Sequence, residues 1–226
     1  LIEFDRAVID MWDIYPHGDI TLHNIRLTDK TIHIDSAVLF SATSLHLTLK
    51  NKAWSDKQVQ IKSVQIDSGE LYLRRDKNGI FNFQKLLSIS DNSELDTIKK
   101  KWNLDIDKLA VQLNHTLLSY QDLQKGQSIR TLVNRSMFSV DKSRRKDIGI
   151  VADIDTKVID FTLNQDNGSF LKDAHLKGIF DIEISESGII IDTTTLHVDD
   201  EKLLFAADFS HLEGANSKLY FKNDNT

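Results

Sequence analysis

The chain has 226 residues, 40% of them hydrophobic and 27% charged, with a formal net charge of −6 at pH 7 and no cysteine. That supplies a real core for one large domain or two small ones. It excludes disulfides and thiolate metal sites, and it speaks against nucleic acid, whose phosphates demand a basic face. The longest uninterrupted apolar run, Leu203 to Ala207, falls far short of the roughly 20 residues that a membrane-spanning helix needs. The chain begins at Leu1 rather than Met, which reads as a fragment or processed product whose upstream anchor or signal has been removed.

From the N-terminus, apolar residues recur with period 2, the mark of strands with one buried face. Ile20, Leu22, Ile25 and Leu27 step by 2, 3 and 2, and Leu45, Leu47 and Leu49 alternate with polar residues. Val59, Ile61, Val64 and Ile66 repeat the first spacing, and Leu104, Ile106, Leu109 and Val111 repeat it again. Residues five apart in an ideal strand face opposite ways, so each copy predicts a bulge or strand break, near Asn24, Ser63 and Lys108. The second and third copies lead into Leu71-Leu73 and Leu118-Tyr120, and then into Asp76…Gly79 and Asp122…Gly126. This is a repeated strand unit.

Turn signals punctuate the chain at Asp67-Ser68-Gly69, Lys77-Asn78-Gly79, Asp166-Asn167-Gly168 and Glu186-Ser187-Gly188. Ser93-Glu94-Leu95-Asp96 resembles a capping box, and Leu95, Ile98 and Trp102 have helical spacing, so residues 82–101 read as a short helical connector or a flexible linker. Later, Phe180, Ile182 and Ile184 alternate again. The fold expected is mostly β: an extended, curved antiparallel sheet or groove of repeated strand units. Its divisions are 1–90, a helical or flexible connector at 91–101, and a second β region at 102–226 continuous with the first.

The search for chemistry comes back empty. Arg74-Arg75-Asp76-Lys77-Asn78-Gly79 is no phosphate cradle, because Ile80-Phe81-Asn82-Phe83 follows the glycine in place of Lys-Ser/Thr. It is no calcium loop either: Gly79 comes too early and no glutamate closes the loop. It reads as a structural turn carried by Asp76, Asn78 and Gly79. The eight histidines, at 17, 23, 33, 46, 115, 175, 197 and 211, include no pair at i, i+4, and solvated strand faces account for them better than zinc. Asp105 with Asp107, and Asp153 with Asp155, put two carboxylates on one strand face. That suits paired acid–base work on glycans, but any solvent-facing strand shows it too. Arg144-Arg145-Lys146 lacks interleaved aromatics and reads as a solvated loop. No metal, cofactor or catalytic residue is expected.

Val59 to Leu87 nevertheless resembles a known family. Gly69, Leu71, Leu73, Arg75, Asp76, Gly79, Asn82, Phe83 and Leu86 follow the order of AsmA-like proteins: a G-x-L-x-L strand, an R-D-x-x-G turn and an N-W/F-x-x-L segment. Phe83 stands where tryptophan is usual. PHGDITLHNIRL, from Pro16, resembles the family's opening segment. LDIDKLAVQLNHTLLSYQD, at 104–122, resembles its next unit, with His115 in place of a small residue. The resemblance covers roughly residues 1–125. It implies a non-enzymatic bacterial protein of the periplasm, tethered to the inner membrane through a segment missing from this chain. It also implies kinship with bridge-like lipid-transfer proteins and a role in phospholipid transport and outer-membrane biogenesis. Its partner would be a phospholipid or other acyl lipid, with Ile61, Val64, Ile66, Leu71, Leu73, Ile106, Leu109, Val111, Leu118, Ile182, Ile184, Ile189 and Ile191 as the candidate lining residues. The alternative is an envelope assembly module that binds a protein partner by a sheet edge. The alternating pattern alone fits a groove or a closed sandwich core equally well.

Overall fold

The computed structural model describes residues 2–10, 17–28, 38–50, 58–82, 103–105, 108–141, 148–163, 168–185, 188–210 and 218–223. They form thirteen strands and no helix. The strands are β1 (Ile2–Glu3), β2 (Arg6–Asp10), β3 (His17–Thr28), β4 (Val38–Lys50), β5 (Gln58–Arg75), β6 (Asn103–Asp105), β7 (Lys108–Asp122), β8 (Gln127–Asp141), β9 (Ile148–Thr162), β10 (Ser169–Ser185), β11 (Gly188–Val198), β12 (Glu201–Ser210) and β13 (Lys218–Asn223). Most of the connector expected over 82–101 lies outside the described residues.

All thirteen strands belong to one open, curved sheet. The order is β1-β3-β4-β5-β7-β8-β9-β10-β11-β12-β13, with β2 also on β3 and β6 on β5. Neighbours are antiparallel except at the join, where β5 runs parallel to β6 and β7. Two antiparallel meanders are therefore fused side by side through one parallel seam, and the seam is where the sequence repeats. Leu71 pairs with Leu118 and Leu73 with Tyr120. The register also corrects the expected alignment of the copies. Val59 sits beside Leu104, but Val64 sits beside Val111 rather than Leu109. Two more residues intervene on the β6–β7 side, a difference that hydrophobic spacing alone does not reveal.

The described strands make a single layer: all of them belong to one open sheet, and none is left to form a second sheet against it. The chain exposes 15800 Å², about half as much again as the roughly 10,500 Å² of a compact globular chain of its mass. This removes the sandwich reading of the alternating pattern. Long strands suit such a sheet: β5 has 18 residues and β10 has 17. Each ladder buries its own main-chain groups without a second layer.

The predicted irregularities fall on a larger pattern. Asn24 has φ 51°. Lys62 is the extra residue where Thr48 pairs Ser63 but Leu49 pairs Ile61. The third site separates β6 from β7, with residues 106–107 outside the described set. In the sheet, however, Asn24 aligns not with Lys62 but with Ser68 (φ 50°) and His115 (φ 46°), through Thr43 of β4. The apolar spacing steps by three at Leu22/Ile25, Ala42/Leu45, Ile66/Gly69, Leu113/Thr116 and Val133/Ser136, on five successive neighbours in the sheet. These steps form one transverse crease. At each, an extra residue (Asn24, Thr43, Ser68, His115 or Asn134) is left exposed, so the apolar phase is the same on both sides. The crease stops at β9, where Val133 pairs Thr156 and Arg135 pairs Asp155, leaving Asn134 as a bulge.

Candidate functional site

Lateral register sorts the side chains onto two faces. One row runs Leu22, Leu45, Ile66, Leu113, Ser136, Ile154, Gly178, Leu196, Leu203 from β3 to β12. The next is Ile20, Leu47, Val64, Val111, Phe138, Ala152, Phe180. Beyond the crease, Leu27, Phe40, Leu71, Leu118, Thr131, Val158 and Ala174 continue the same face. Twelve of the thirteen residues expected to line a groove lie on it: Ile61, Val64, Ile66, Leu71, Leu73, Leu109, Val111, Leu118, Ile182, Ile184, Ile189 and Ile191. Ile106 lies outside the described residues.

Most of these side chains are half-buried, covered at their flanks by lateral neighbours and uncovered on top by any described strand. The charged residues whose register places them on this face, Arg75, Asp122 and Glu201, stand at strand ends. The hydroxyls that occur near the crease are spent internally. Thr131 donates to the Lys157 carbonyl at 3.0 Å, Thr156 to that of Leu132 at 2.9 Å, and Thr116 to that of Asn114 at 3.0 Å. Sequence reasoning missed this row of satisfied hydroxyls, which no spacing signals.

The opposite face carries His23, Ser44, Asp67, Asn114, Arg135, Asp155, Lys177, His197 and Lys202 in one row. Asp67 accepts from Gln65 Nε2 at 3.0 Å and from Asn114 Nδ2 at 2.6 Å. Asp155, one of the paired aspartates, accepts from Asn134 Nδ2 at 2.9 Å and contacts His175 Nε2 at 2.8 Å. Those two hydrogen bonds, with Lys177 nearby, outweigh burial and hold its carboxyl below the ordinary carboxylate range. A carboxylate so occupied is poorly placed as an acid or base. Among the described residues no three His, Cys, Asp or Glu side chains converge as a metal site. An open 730 Å³ depression on this face, at the β11 bulge, is lined by both signs of charge: Asp153, His175, Lys177, His197 and Asp199. Exposed Leu132, Met137, Val151, Ile179 and Ile190 are scattered singly among polar neighbours.

The turn at Asp76 to Gly79 is held from both sides. Asp76 Oδ1 accepts from the N–H groups of Asn78 (2.8 Å) and Ile80 (2.9 Å), and Gly79 has φ 81°. Asn82 accepts from the Arg74 N–H at 3.0 Å and donates Nδ2 to the Tyr72 carbonyl at 2.8 Å, folding the chain back along β5. Arg75 lies over the Phe81 ring, donates Nε to the Gly79 carbonyl at 3.2 Å and reaches Asp122 Oδ2 at 3.4 Å. Asp122 is 1% exposed. Burial pushes its pKa upward, but the N–H groups of Lys125 and Gln124 and the Arg75 guanidinium prevail and hold it below the ordinary value. Tyr120 is shifted up, by burial first and then by the Asp122 charge and hydrogen bond. The motif residues Arg75, Asp76, Gly79, Asn82 and Asp122 thus clasp the two meanders at one end of the parallel seam.

The AsmA family model matches residues 3–198. No curated protein matches the chain.

Proposed function

The chain belongs to the AsmA family, which is associated with the cell envelope and lipid transport, and from that premise we propose that its uncovered apolar face carries the acyl chains of a phospholipid or similar lipid between envelope membranes. The observation that carries this reading is the continuity of that face. Apolar rows pass unbroken across the parallel seam and remain in phase across the crease. Moving an acyl chain through water costs about 0.8 kcal/mol per methylene, so ~15 methylenes cost on the order of 12 kcal/mol. A path between membranes must therefore be lined without a polar gap, and satisfied threonines at the crease leave none. The role in this reading is non-enzymatic and periplasmic, with tethering to the inner membrane. Mass spectrometry of organic extracts of the purified chain tests the reading. Stoichiometric acyl lipid supports it; a chain that carries none, and takes none from phospholipid vesicles, overturns it.

A further inference from the structure

The 730 Å³ depression on the polar face sits where the sheet's ladder lapses. Between the pairs Gly178–Leu196 and Ile182–Ile191, residues Ile179 to Asp181 of β10 lie across from Asp192 to Thr195 of β11 without register. On its other side β11 carries an extra residue, Asp192 and Thr193 standing opposite Ala206 of β12. Gly178 is buried at the end of the gap. A Cβ there would lie 3.1 Å from the Thr195 carbonyl oxygen and 3.3 Å from the Phe180 ring, so glycine lets β10 and β11 close beneath the depression. The Thr194 hydroxyl donates to the Ile179 carbonyl across the gap.

The polar side chains here are unequally occupied. Asp155 takes Asn134 and His175, and at 3.8 Å it is the ion-pair partner of Lys177. Asp153 of β9 and Thr195 and His197 of β11 also line the depression. Among the described residues their side chains have no hydrogen bond or ion pair. His197 is the register partner of Lys177, whereas Asp153 pairs with Ile179, two residues along β10. Lys177 and His197 are thus direct cross-strand neighbours, with Cβ atoms about 4.5–5.5 Å apart, and the free carboxylate is diagonal to Lys177 at about 7–8 Å.

We propose that this depression binds a phosphorylated amine. The phosphate lies against the Lys177 ammonium, an N–H of the His197 ring and the Thr195 hydroxyl, and the ligand's ammonium lies on Asp153. Inorganic phosphate alone would leave Asp153 facing a like charge. An α-amino acid holds its two charges too close together to span the diagonal. A short amino-alcohol spacer brings each end to its partner. A free phosphoamine and an exposed lipid headgroup share this chemistry. The inference concerns the face opposite the apolar one and does not depend on what that face carries.

The test titrates the full chain with phosphoethanolamine, and separately with inorganic phosphate and with ethanolamine, followed by NMR. Phosphoethanolamine is expected to shift the resonances of Thr195 and His197. It should bind roughly tenfold or more tightly than either half, a charge-assisted hydrogen bond being worth about that ratio. Asp153→Asn should lower its affinity to that of inorganic phosphate, and Lys177→Gln should weaken both phosphates by roughly tenfold. Both positions are exposed, so circular dichroism should show both variants folded. No binding, phosphate binding as tightly as phosphoethanolamine, shifts that miss Thr195 and His197, or affinity unchanged in either variant would each overturn the proposal. Once binding is shown, vesicles assign its source. Displacement by mixed phosphatidylethanolamine–phosphatidylglycerol vesicles, but not by phosphatidylglycerol alone, supports the site with a lipid headgroup as ligand. No displacement by either supports it with a soluble phosphoamine.

Discussion

Ser68 of β5 and His115 of β7 stand side by side across the parallel seam, both with left-handed backbone. Neither is glycine, and for an L side chain that conformation costs about 1–2 kcal/mol. The crease holds them there, because a straight strand would turn the apolar residues that follow to the wrong face. His115→Gly should therefore stabilise the chain, by about 1 kcal/mol, and His115→Val should destabilise it by at least as much. Urea melts of the two variants check this; a valine variant as stable as the parent would show that the crease is not under strain at His115.

Gly69 follows Ser68 in the same crease and is required for a different reason. A Cβ there would lie 2.8 Å from Ile66 Cγ2 and 3.0 Å from the Ser41 carbonyl oxygen. The carbonyl is backbone and cannot step aside. Gly69→Ala should cost about 1–3 kcal/mol, the usual range for overpacking. At the turn, Gly79→Val should lower stability through its positive φ, whereas Lys77→Ala, on an exposed turn residue, should fall within about 0.5 kcal/mol of the parent. A Lys77 variant that lost ligand binding at unchanged Tm would restore the turn as a functional site.

The Arg75–Asp122 clasp predicts an acid limb. Asp122 is held below its ordinary value of 3.8. Such a group contributes its full stability above the unfolded pKa and loses it as pH falls through the lower, folded one. The Asp122 contribution to Tm should thus be constant with pH near neutrality and be lost below about pH 4, where Asp155, also held low, adds to the fall. Asp122→Asn should melt lower than the parent at pH 7, and the gap should close as the pH is taken toward 2. Parallel Tm curves for the two proteins over that range would show that the carboxylate charge is not what holds the clasp.

Much of this was legible in the residues. Period-2 alternation gave the strands, and the 2-3-2 spacing at Ile20 to Leu27 located a real irregularity at Asn24. The alignment of that irregularity with its neighbours was not legible, because a strand carries a record of its own bulges but not of its register. Lys62 and Ser68 both interrupt β5, and only pairing with β4 shows that Ser68 is the partner of Asn24. That these residues share one face was legible, because the face of a strand is a local property of its alternation. That the face stays uncovered is not local: Ile66 alternates with polar residues in the same way under a second sheet as under none. The clasp was visible as motif, but its partner Asp122 lies 47 residues from Arg75, joined only by the parallel seam.

The uncovered face gives the sharpest separation between cargo path and core. Val111 packs laterally between Val64 and Phe138, and Ile184 between Ile148 and Ile189, with no described strand above either. An aspartate at either site can reach water while the face is empty, so Val111→Asp and Ile184→Asp should fold. Their circular dichroism should match the parent, with a loss of about 1–2 kcal/mol from the missing lateral packing. With an acyl chain above, the same carboxylate is stripped of water without a partner, at a cost of several kcal/mol to the loaded state. Lipid recovered with the protein, or crosslinked to it from a photoactivatable phospholipid, should therefore fall by roughly tenfold or more for both variants. Ser139→Asp, exposed on the polar face, should leave lipid content unchanged. If both apolar-face variants unfold, those positions belong to a sealed core. If they fold and keep their lipid, the cargo lies elsewhere, and in either case the path along this face is lost as an explanation.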